Sequence, residues 1–451
     1  MKKIPEFIAL SLMLGGLILL SGAYSSKKDK NKKNRVPNIV LIMADDLGYS
    51  DLSCYGSENI KTPVLDKLAS EGIRFTDYHS NGAVCSPTRA ALMTGKYQQR
   101  TGIEGVITAA NHRDKGLAPE ETTIAEALKS RGYVTGMYGK WHLGYAEKFN
   151  PVKQGFDVFR GFVSGNIDYF SHVDQEGYFD WWDNSKLKDD PGYSTDLITK
   201  YGIAFMKKNS KEPFFLYLPY EAPHYPFQAR YSRPFRKVGQ KQSKDKTLPA
   251  DSIPTIYKDM VETLDASIGK ILATLKELGL DDNTLVFFCS DNGGIKRYGK
   301  HNAPLRGHKG TLYEGGHRVP AIARWPGKIP EGKRCDETIL SMDILPTLVD
   351  ITGGTPPEGI DGVSFEKVLL GNGKMPERSL FWRFRGSKVI RKGDMKLIVA
   401  KPKDKSRKPE VELYNLKSDI SESDNLADGE PEKVKELQKE LDEWDKEVSN
   451  K

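Results

Sequence analysis

The sequence predicts an α/β fold with a smaller α+β region at its C-terminal end. Two observations carry this. Up to about residue 375, short β-branched or aromatic runs alternate with longer amphipathic stretches, the pattern of strands and covering helices. After about Pro376 the style changes to short alternating strands, SLFWRF, SKVIRKG and MKLIVA, and then to a charged helical stretch from Glu430 onward. At 451 residues, 38% hydrophobic and 29% charged, the chain can build one large core and a second, smaller unit. No internal repeat is present.

Lys2 and Lys3 precede the apolar run FIALSLMLGGLILL, and SGA follows at 21–23. A basic start, an apolar run short for a bilayer and a small-residue cleavage site read as a secretory signal peptide over 1–23. An uncleaved anchor is the alternative; no cysteine follows the run to accept a lipid. The mature protein is expected to be exported, periplasmic or extracellular, with no stable membrane span. Residues 24–35, including KKDKNKKNR, read as a solvated basic linker. The first 35 residues hold eight Lys/Arg against two Asp/Glu and so account for most of the +7 formal charge. The near-neutral remainder argues against a nucleic-acid binder, which needs a strong basic face.

VPNIVLIMA (36–44) predicts a buried strand. TPVLDKLASEG (62–72) predicts a helix with Thr62 as N-cap, Pro63 in its first turn and Gly72 as C-cap, and TTIAEALKSRG (122–132) repeats the plan. Strands follow at YVTGMYG (133–139) and PFFLYLPY (213–220). A long helix spans 256–279 and leads to the strand NTLVFFCSD (283–291). The 230–250 segment, rich in Lys, Arg, Gln and Pro, reads as a surface loop.

Reactive side chains collect where these strands end. Asp45 and Asp46 follow IVLIMA, Lys140 and His142 follow YVTGMYG, His224 follows FFLYLPY, and Asp291 and Asn292 follow LVFFCS. Open α/β sheets bind ligands outside the carboxyl ends of their strands, so four such ends point to one site. Asp45, Asp46, Asp291 and Asn292 supply hard oxygen donors, which select Ca²⁺, ahead of Mg²⁺, over zinc. Either pair alone reads equally well as turn residues; two pairs at two strand ends favour an ion.

VCSPTRAALMTG (84–95) reads as a helix with Pro87 in its first turn and Gly95 near its end. Cys85 then lies at the helix N-terminus, where free N–H groups favour an anion, and Arg89 lies one turn along the same face. Cys54, Cys85, Cys289 and Cys335 could also form two disulfides in three pairings. A thiolate at Cys85 would be activated there, yet soft sulfur suits hard-cation ligands poorly. The residues alone leave that mismatch open.

Cys85-Ser86-Pro87-Thr88-Arg89, continuing to Thr94-Gly95, resembles the type I sulfatase signature. Further blocks match the same family in order: NIVLIMADDLGYSDLSCYG (38–56), GYVTGMYGKWHLG (132–144), APH (222–224), SDNGG (290–294), LRGHKGTLYEGGHRVPAIARWPG (305–327) and ELYNLKSDISESDNLA (412–427). The resemblance implies an alkaline phosphatase-like fold: a large mixed, mostly parallel sheet flanked by helices in a catalytic domain at 36–375, with a subdomain at 376–451. It implies that a maturation enzyme converts Cys85 to Cα-formylglycine, whose hydrate is the nucleophile, and that Asp45, Asp46, Asp291, Asn292 and the modified residue 85 bind calcium. Arg89 would stabilise the hydrate and Lys140 would bind sulfate. His142 would act beside the hydrate, while His224 and Lys309 would contact sulfate and assist the leaving group.

The activity implied is hydrolysis of sulfate esters, most of all on sulfated carbohydrates. A phosphonate or phosphodiester hydrolase of the same superfamily and a non-catalytic glycan-binding homologue are the alternatives. Ser164, Asn166, Asp168 and Tyr169 are further candidates to face the substrate, and Trp181 and Trp182 read either as a sugar platform or as packing.

Overall fold

The computed structural model describes residues 36–242, 248–402, 404 and 408–449. The expected signal peptide and linker, residues 1–35, lie outside the described residues. Up to residue 340 the strands are β1 (Asn38–Ala44), β2 (Ile73–Phe75), β3 (Tyr78–His79), β4 (Val134–Lys140), β5 (Val158–Phe162), β6 (Trp182–Asp183), β7 (Lys186–Leu187), β8 (Phe214–Pro219), β9 (Thr284–Ser290), β10 (Ala321–Arg324), β11 (Lys333–Cys335) and β12 (Ile339–Leu340). All but β3 and β12, which pair with each other, form one sheet in the order β11-β2-β10-β9-β1-β8-β4-β5-β6-β7. Its centre, β9-β1-β8-β4-β5, is parallel, and antiparallel strands enter on both sides. The sheet is therefore mixed and mostly parallel at its core, as expected.

Around it run α1 (Pro63–Ser70), α2 (Cys85–Thr94), α3 (Ile124–Lys129), α4 (Ser194–Lys208), α5 (Ile253–Glu277), α6 (Glu314–His317), α7 (Ile344–Ile351) and α8 (Glu366–Leu369). Every residue of β1, β8 and β9 is buried, because helices cover both faces. Alternation sorts the side chains of β1. Ile39, Leu41 and Met43 pack in one core with α2, α3 and α7, while Val40, Ile42 and Ala44 pack in another with α1, α4 and α5.

Two helix ends are made differently from the sequence expectation. Glu71, not Gly72, caps α1; a Cβ at Gly72 would meet the Ala323 carbonyl of β10 at 2.1 Å, so this glycine permits close packing. The Thr62 side chain caps no α1 amide; its hydroxyl donates to Asp66 Oδ1 at 3.3 Å. The free N–H groups of Val64 and Leu65 donate instead to Asp265 of α5, at 3.1 and 2.8 Å. The second helix does carry its own cap, a reciprocal Thr123–Glu126 box.

The C-terminal strands β13 (Ser379–Phe384), β14 (Ser387–Lys392), β15 (Met395–Ala400) and β16 (Glu410–Asn415) form an antiparallel sheet in chain order, and α9 (Pro431–Ser449) lies against it. Neighbours on β13 face opposite ways. Phe381 stacks on Trp444 of α9 at 4.8 Å, while Trp382 donates its indole N–H to the Ser80 carbonyl at 2.9 Å. No helix among the described residues is long and apolar enough to cross a membrane.

Candidate active site

Four adjacent parallel strands deliver the site. In sheet order β9, β1, β8 and β4, their carboxyl ends lead to Asp291 and Asn292, to Asp45 and Asp46, to His224, and to Lys140 and His142. The turns are tight enough that Asp46 and His142 adopt positive φ, 63° and 59°, a region non-glycine residues rarely hold and one concentrated at functional sites.

Cys85 is the first residue of α2 and is buried. Its thiol donates to Asp45 Oδ1 at 3.5 Å, and Lys309 Nζ donates to its Sγ at 3.3 Å. Lys309 Nζ also reaches Asp46 Oδ1 at 2.6 Å, and Lys140 Nζ bonds Asp45 Oδ2. Arg89 donates from Nε and Nη2 to Asp291 Oδ2, at 3.1 and 2.8 Å, and from Nη1 to the Lys140 carbonyl at 2.9 Å. The Asp46 amide donates to Asp291 Oδ1 at 3.2 Å, and His224 Nε2 lies 3.6 Å from Asp46 Oδ2. Every site residue named from the sequence except His142 thus belongs to one connected cluster, once Asn292 Nδ2 is counted at 2.8 Å from Asp46 Oδ1. All four cysteines are free thiols.

Three buried carboxylates face three buried or half-buried cations. Burial works against the charge of Lys309, but Asp46, Cys85 and Asp45 outweigh it and hold the ammonium well above its usual range. Burial and the neighbouring Asp45 push Asp291 up to about 6. Burial also pushes the Cys85 thiol up to about 12, against the pull of Lys140 and Lys309. Burial thus favours the protonated thiol over the activated thiolate expected at a helix N-terminus.

His142 is neutral, driven well below the imidazole range by burial and then by Lys140 and Arg89. Its Nε2 meets the Ile107 carbonyl at 2.9 Å, which requires a proton on that nitrogen. Nδ1 is then a bare lone pair, buried without a partner. Burial likewise lowers His224, to about 3. Ile107 escaped the sequence reading because a backbone carbonyl carries no residue signature.

The donor set fits a hard cation. Asn292 Oδ1 is buried with no donor to satisfy it, in the company of three carboxylates, and an acceptor left unpaired in such company suits a metal ion. Ligand atoms of Asp45, Asp46, Cys85 and His224 lie within 4.8 Å of one another. His224, read from the sequence as a sulfate contact that assists the leaving group, thus also stands among possible ligands.

The weaker candidates divide. Asp168 organises a loop, accepting from the amides of Phe170, Ser171, Phe235 and Arg236 at 2.9–3.1 Å. Tyr169 is buried and donates to the His224 carbonyl at 3.0 Å, and Asn166 Oδ1 accepts from Arg236 at 2.6 Å. Ser164 is buried, its hydroxyl on the Asn166 carbonyl at 3.1 Å. Trp181 is fully buried and stacks on His172 at 4.5 Å, which settles it as packing; Trp182 is half-buried with its indole N–H on Asp180 at 2.6 Å.

Comparison with known proteins agrees with this geometry. Residues 37–354 match the Sulfatase family model, and residues 307–451 match the model "N-sulphoglucosamine sulphohydrolase, C-terminal". The chain is 35% identical over 382 residues to N-acetylgalactosamine-6-sulfatase of Canis lupus familiaris, covering 78% of this chain and 69% of the relative. It is 37% identical over 396 residues to arylsulfatase A of Homo sapiens, covering 80% and 74%. Among solved structures, Ps i-CgsB in complex with k-i-k-neocarrahexaose superposes with a TM-score of 0.80 at 31% identity, covering 91% of this chain and 93% of that one. The shared architecture is the alkaline phosphatase-like fold.

Proposed function

The chain belongs to the sulfatase family and hydrolyses sulfate esters, and we propose that its substrates are sulfated carbohydrates. We propose further that Cys85 is a precursor, converted to Cα-formylglycine by a separate maturation enzyme. Asp45, Asp46, Asp291, Asn292 and the converted residue would hold calcium. One observation carries this reading: the Cys85 sulfur sits between a carboxylate of the oxygen-donor set and the Lys309 ammonium, 3.5 and 3.3 Å away, and is tied into no cystine.

Residue 85, once converted, supplies a hydrated aldehyde whose one hydroxyl can attack sulfur and whose other can expel sulfate on losing its proton. Calcium, when bound, supplies charge neutralisation for the sulfate oxygens. The protein's own groups do the rest. Lys140 and Lys309 bind sulfate as preorganised cations in a site that excludes water. Arg89, fixed by Asp291 and the Lys140 carbonyl, braces residue 85. His142 holds its bare Nδ1 as the base, and Ile107 keeps the proton off that nitrogen. His224 and Lys309 would stand beside the departing alcohol oxygen, where the Lys309 ammonium carries the proton and neutral His224 positions the oxygen.

The carbohydrate assignment is supported by the N-acetylgalactosamine-6-sulfatase relative and by the sulfatase-like neighbour solved with a neocarrahexaose. Export fits the same role: residues 1–23 as signal peptide and 24–35 as linker would deliver a catalytic domain at 36–375 and a subdomain at 376–451. The test is release of inorganic sulfate from defined sulfated mono- and oligosaccharides, run beside phosphodiesters, with conversion at residue 85 read by mass spectrometry. The converted protein is expected to prefer a sulfated sugar. A preference for phosphodiesters, or full activity with unconverted cysteine, overturns the reading.

A further inference from the structure

Between Asn292 and Lys309 the chain leaves the site and returns to it. The loop 295–308 is closed at its neck, where the Lys309 amide donates to the Gly294 carbonyl at 2.9 Å. The Asn302 side chain bridges both polar groups of Gly294, accepting from its N–H at 2.8 Å and donating to its carbonyl at 3.0 Å. This is an Ω-type loop whose two ends are both site residues.

Its middle is pinned to the exit of β1. The Ser50 amide donates to the His301 carbonyl at 2.9 Å and the Ser50 hydroxyl to the Lys300 carbonyl at 2.8 Å. His301 is buried, with Nδ1 on Asp51 Oδ1 at 2.8 Å. Glycines on both sides make room for it: a Cβ at Gly48 would meet its carbonyl at 2.2 Å, and one at Gly294 would meet its own Cβ at 2.6 Å. Gly48 lies two residues past Asp46, and Gly294 two past Asn292. The loop is a fixed rim of the site.

Its outer edge carries Lys296, Arg297 and Lys300, all exposed. Among the described residues none of the three forms an ion pair. Arg306, on the same loop, shows the contrast: it is engaged by the Tyr414 hydroxyl at 2.9 Å, Glu412 at 3.6 Å and the Tyr313 ring at 3.9 Å. A hollow of about 240 Å³ is lined by Lys296, Lys300 and His308, the neighbour of Lys309, among others. Three cations without ion-pair partners thus stand on a pinned loop whose chain runs from Asn292 to Lys309.

We propose that the 295–308 loop binds a second anionic group, a sulfate or carboxylate on the sugar adjoining the one that is desulfated, and so selects multiply anionic oligosaccharides. This rests on the sulfated-carbohydrate reading above. Exposed ion pairs are individually weak, and three together are worth roughly tenfold in affinity.

The test measures binding, by calorimetry, to protein made without the maturation enzyme, so that residue 85 stays cysteine and no turnover intervenes. The ligands are a multiply sulfated galactan tetrasaccharide and a monosulfated galactose. In the triple variant Lys296→Gln, Arg297→Gln, Lys300→Gln, the tetrasaccharide Kd is expected to rise about tenfold and to lose most of its salt dependence. The monosulfated sugar's Kd is expected to change less than twofold. An unchanged tetrasaccharide Kd, or an equal loss for both ligands, overturns the proposal. Absence of sulfate release by the converted parent protein is a separate measurement and strikes the underlying reading alone.

Discussion

At His142 one backbone carbonyl fixes which nitrogen carries the proton, and at Asn292 one buried oxygen is left without a donor, where we propose a cation sits. Both are statements about single atoms, and both can be tested singly. Cys85→Ala removes the proposed precursor of the nucleophile and a small buried volume, a loss of about 1 kcal/mol by the cost of buried methylene-sized groups. Sulfate release should vanish while the thermal midpoint stays within a few degrees of the parent; persistent release would remove residue 85 from the chemistry. Asn292→Ala deletes the unsatisfied Oδ1 without touching a charge. Calcium affinity measured by calorimetry should fall by roughly one to two orders of magnitude, and unchanged affinity would take Asn292 out of the ligand set. That Asp45, Asp46, Asp291 and Asn292 would gather at one place was legible because residue type and strand-end position agree. The protonated Cys85 thiol was not, since helix-terminus chemistry says nothing of how completely the side chain is buried.

Between elements, the least expected feature joins the C-terminal sheet to the large domain. Asp77, Glu314 and Glu422 face Arg318, Arg391 and Lys396 in a buried network around His79 and His317. His79 Nε2 bonds Asp77 at 2.8 Å, the two Nδ1 atoms meet at 2.9 Å, and Lys396 Nζ lies 3.3 Å from His317 Nε2. With both rings neutral, Lys396 can donate to His317 Nε2, His317 Nδ1 to His79 Nδ1 and His79 Nε2 to Asp77, an assignment that leaves the Leu312 carbonyl, 3.2 Å from His317 Nε2, without a proton from that ring. Burial lowers both histidines, in agreement.

Strand alternation predicted β13, β14 and β15 but hid this network. Nothing in MKLIVA or SKVIRKG marks Lys396 or Arg391 as buried, because alternation tells which residues share a face and not whether that face is later covered. Lys396→Met leaves Glu422 buried without its cation and Glu314 with Arg318 alone, and should cost about 3–5 kcal/mol. In the parent, burial opposes ionisation of Glu314 but Lys396 overcomes it and holds the carboxyl well below its usual range. That contribution is present above the unfolded pKa and lost as pH falls. In the variant burial acts unopposed by Lys396, the folded state binds more protons than the unfolded one, and stability drops as pH rises. Denaturant unfolding should therefore show a larger deficit at pH 8 than at pH 5; a deficit independent of pH would mean that Lys396 acts through packing alone.

Across the whole molecule, the order β9-β1-β8-β4 makes neighbours of residues 45, 140, 224 and 291, which are far apart in the chain. Each strand end could be read from its own buried run, but their order could not, because crossover helices and not local pattern decide which strands lie side by side. The consequence is that the proposed calcium site exists only in the folded sheet: the unfolded chain holds its carboxylates on separate segments. An ion that binds the native state alone stabilises it by about 2.7 kcal/mol at a hundredfold excess over Kd. The thermal midpoint should thus climb with the logarithm of calcium concentration, fall on addition of a chelator, and respond less to magnesium, whose smaller shell suits this crowded donor set poorly. Asp291→Asn keeps the shape of the site and removes one charge, so its midpoint should respond to calcium only at much higher concentration. A midpoint indifferent to calcium in the parent, or a response identical in Asp291→Asn, would place the ion elsewhere or nowhere on this fold.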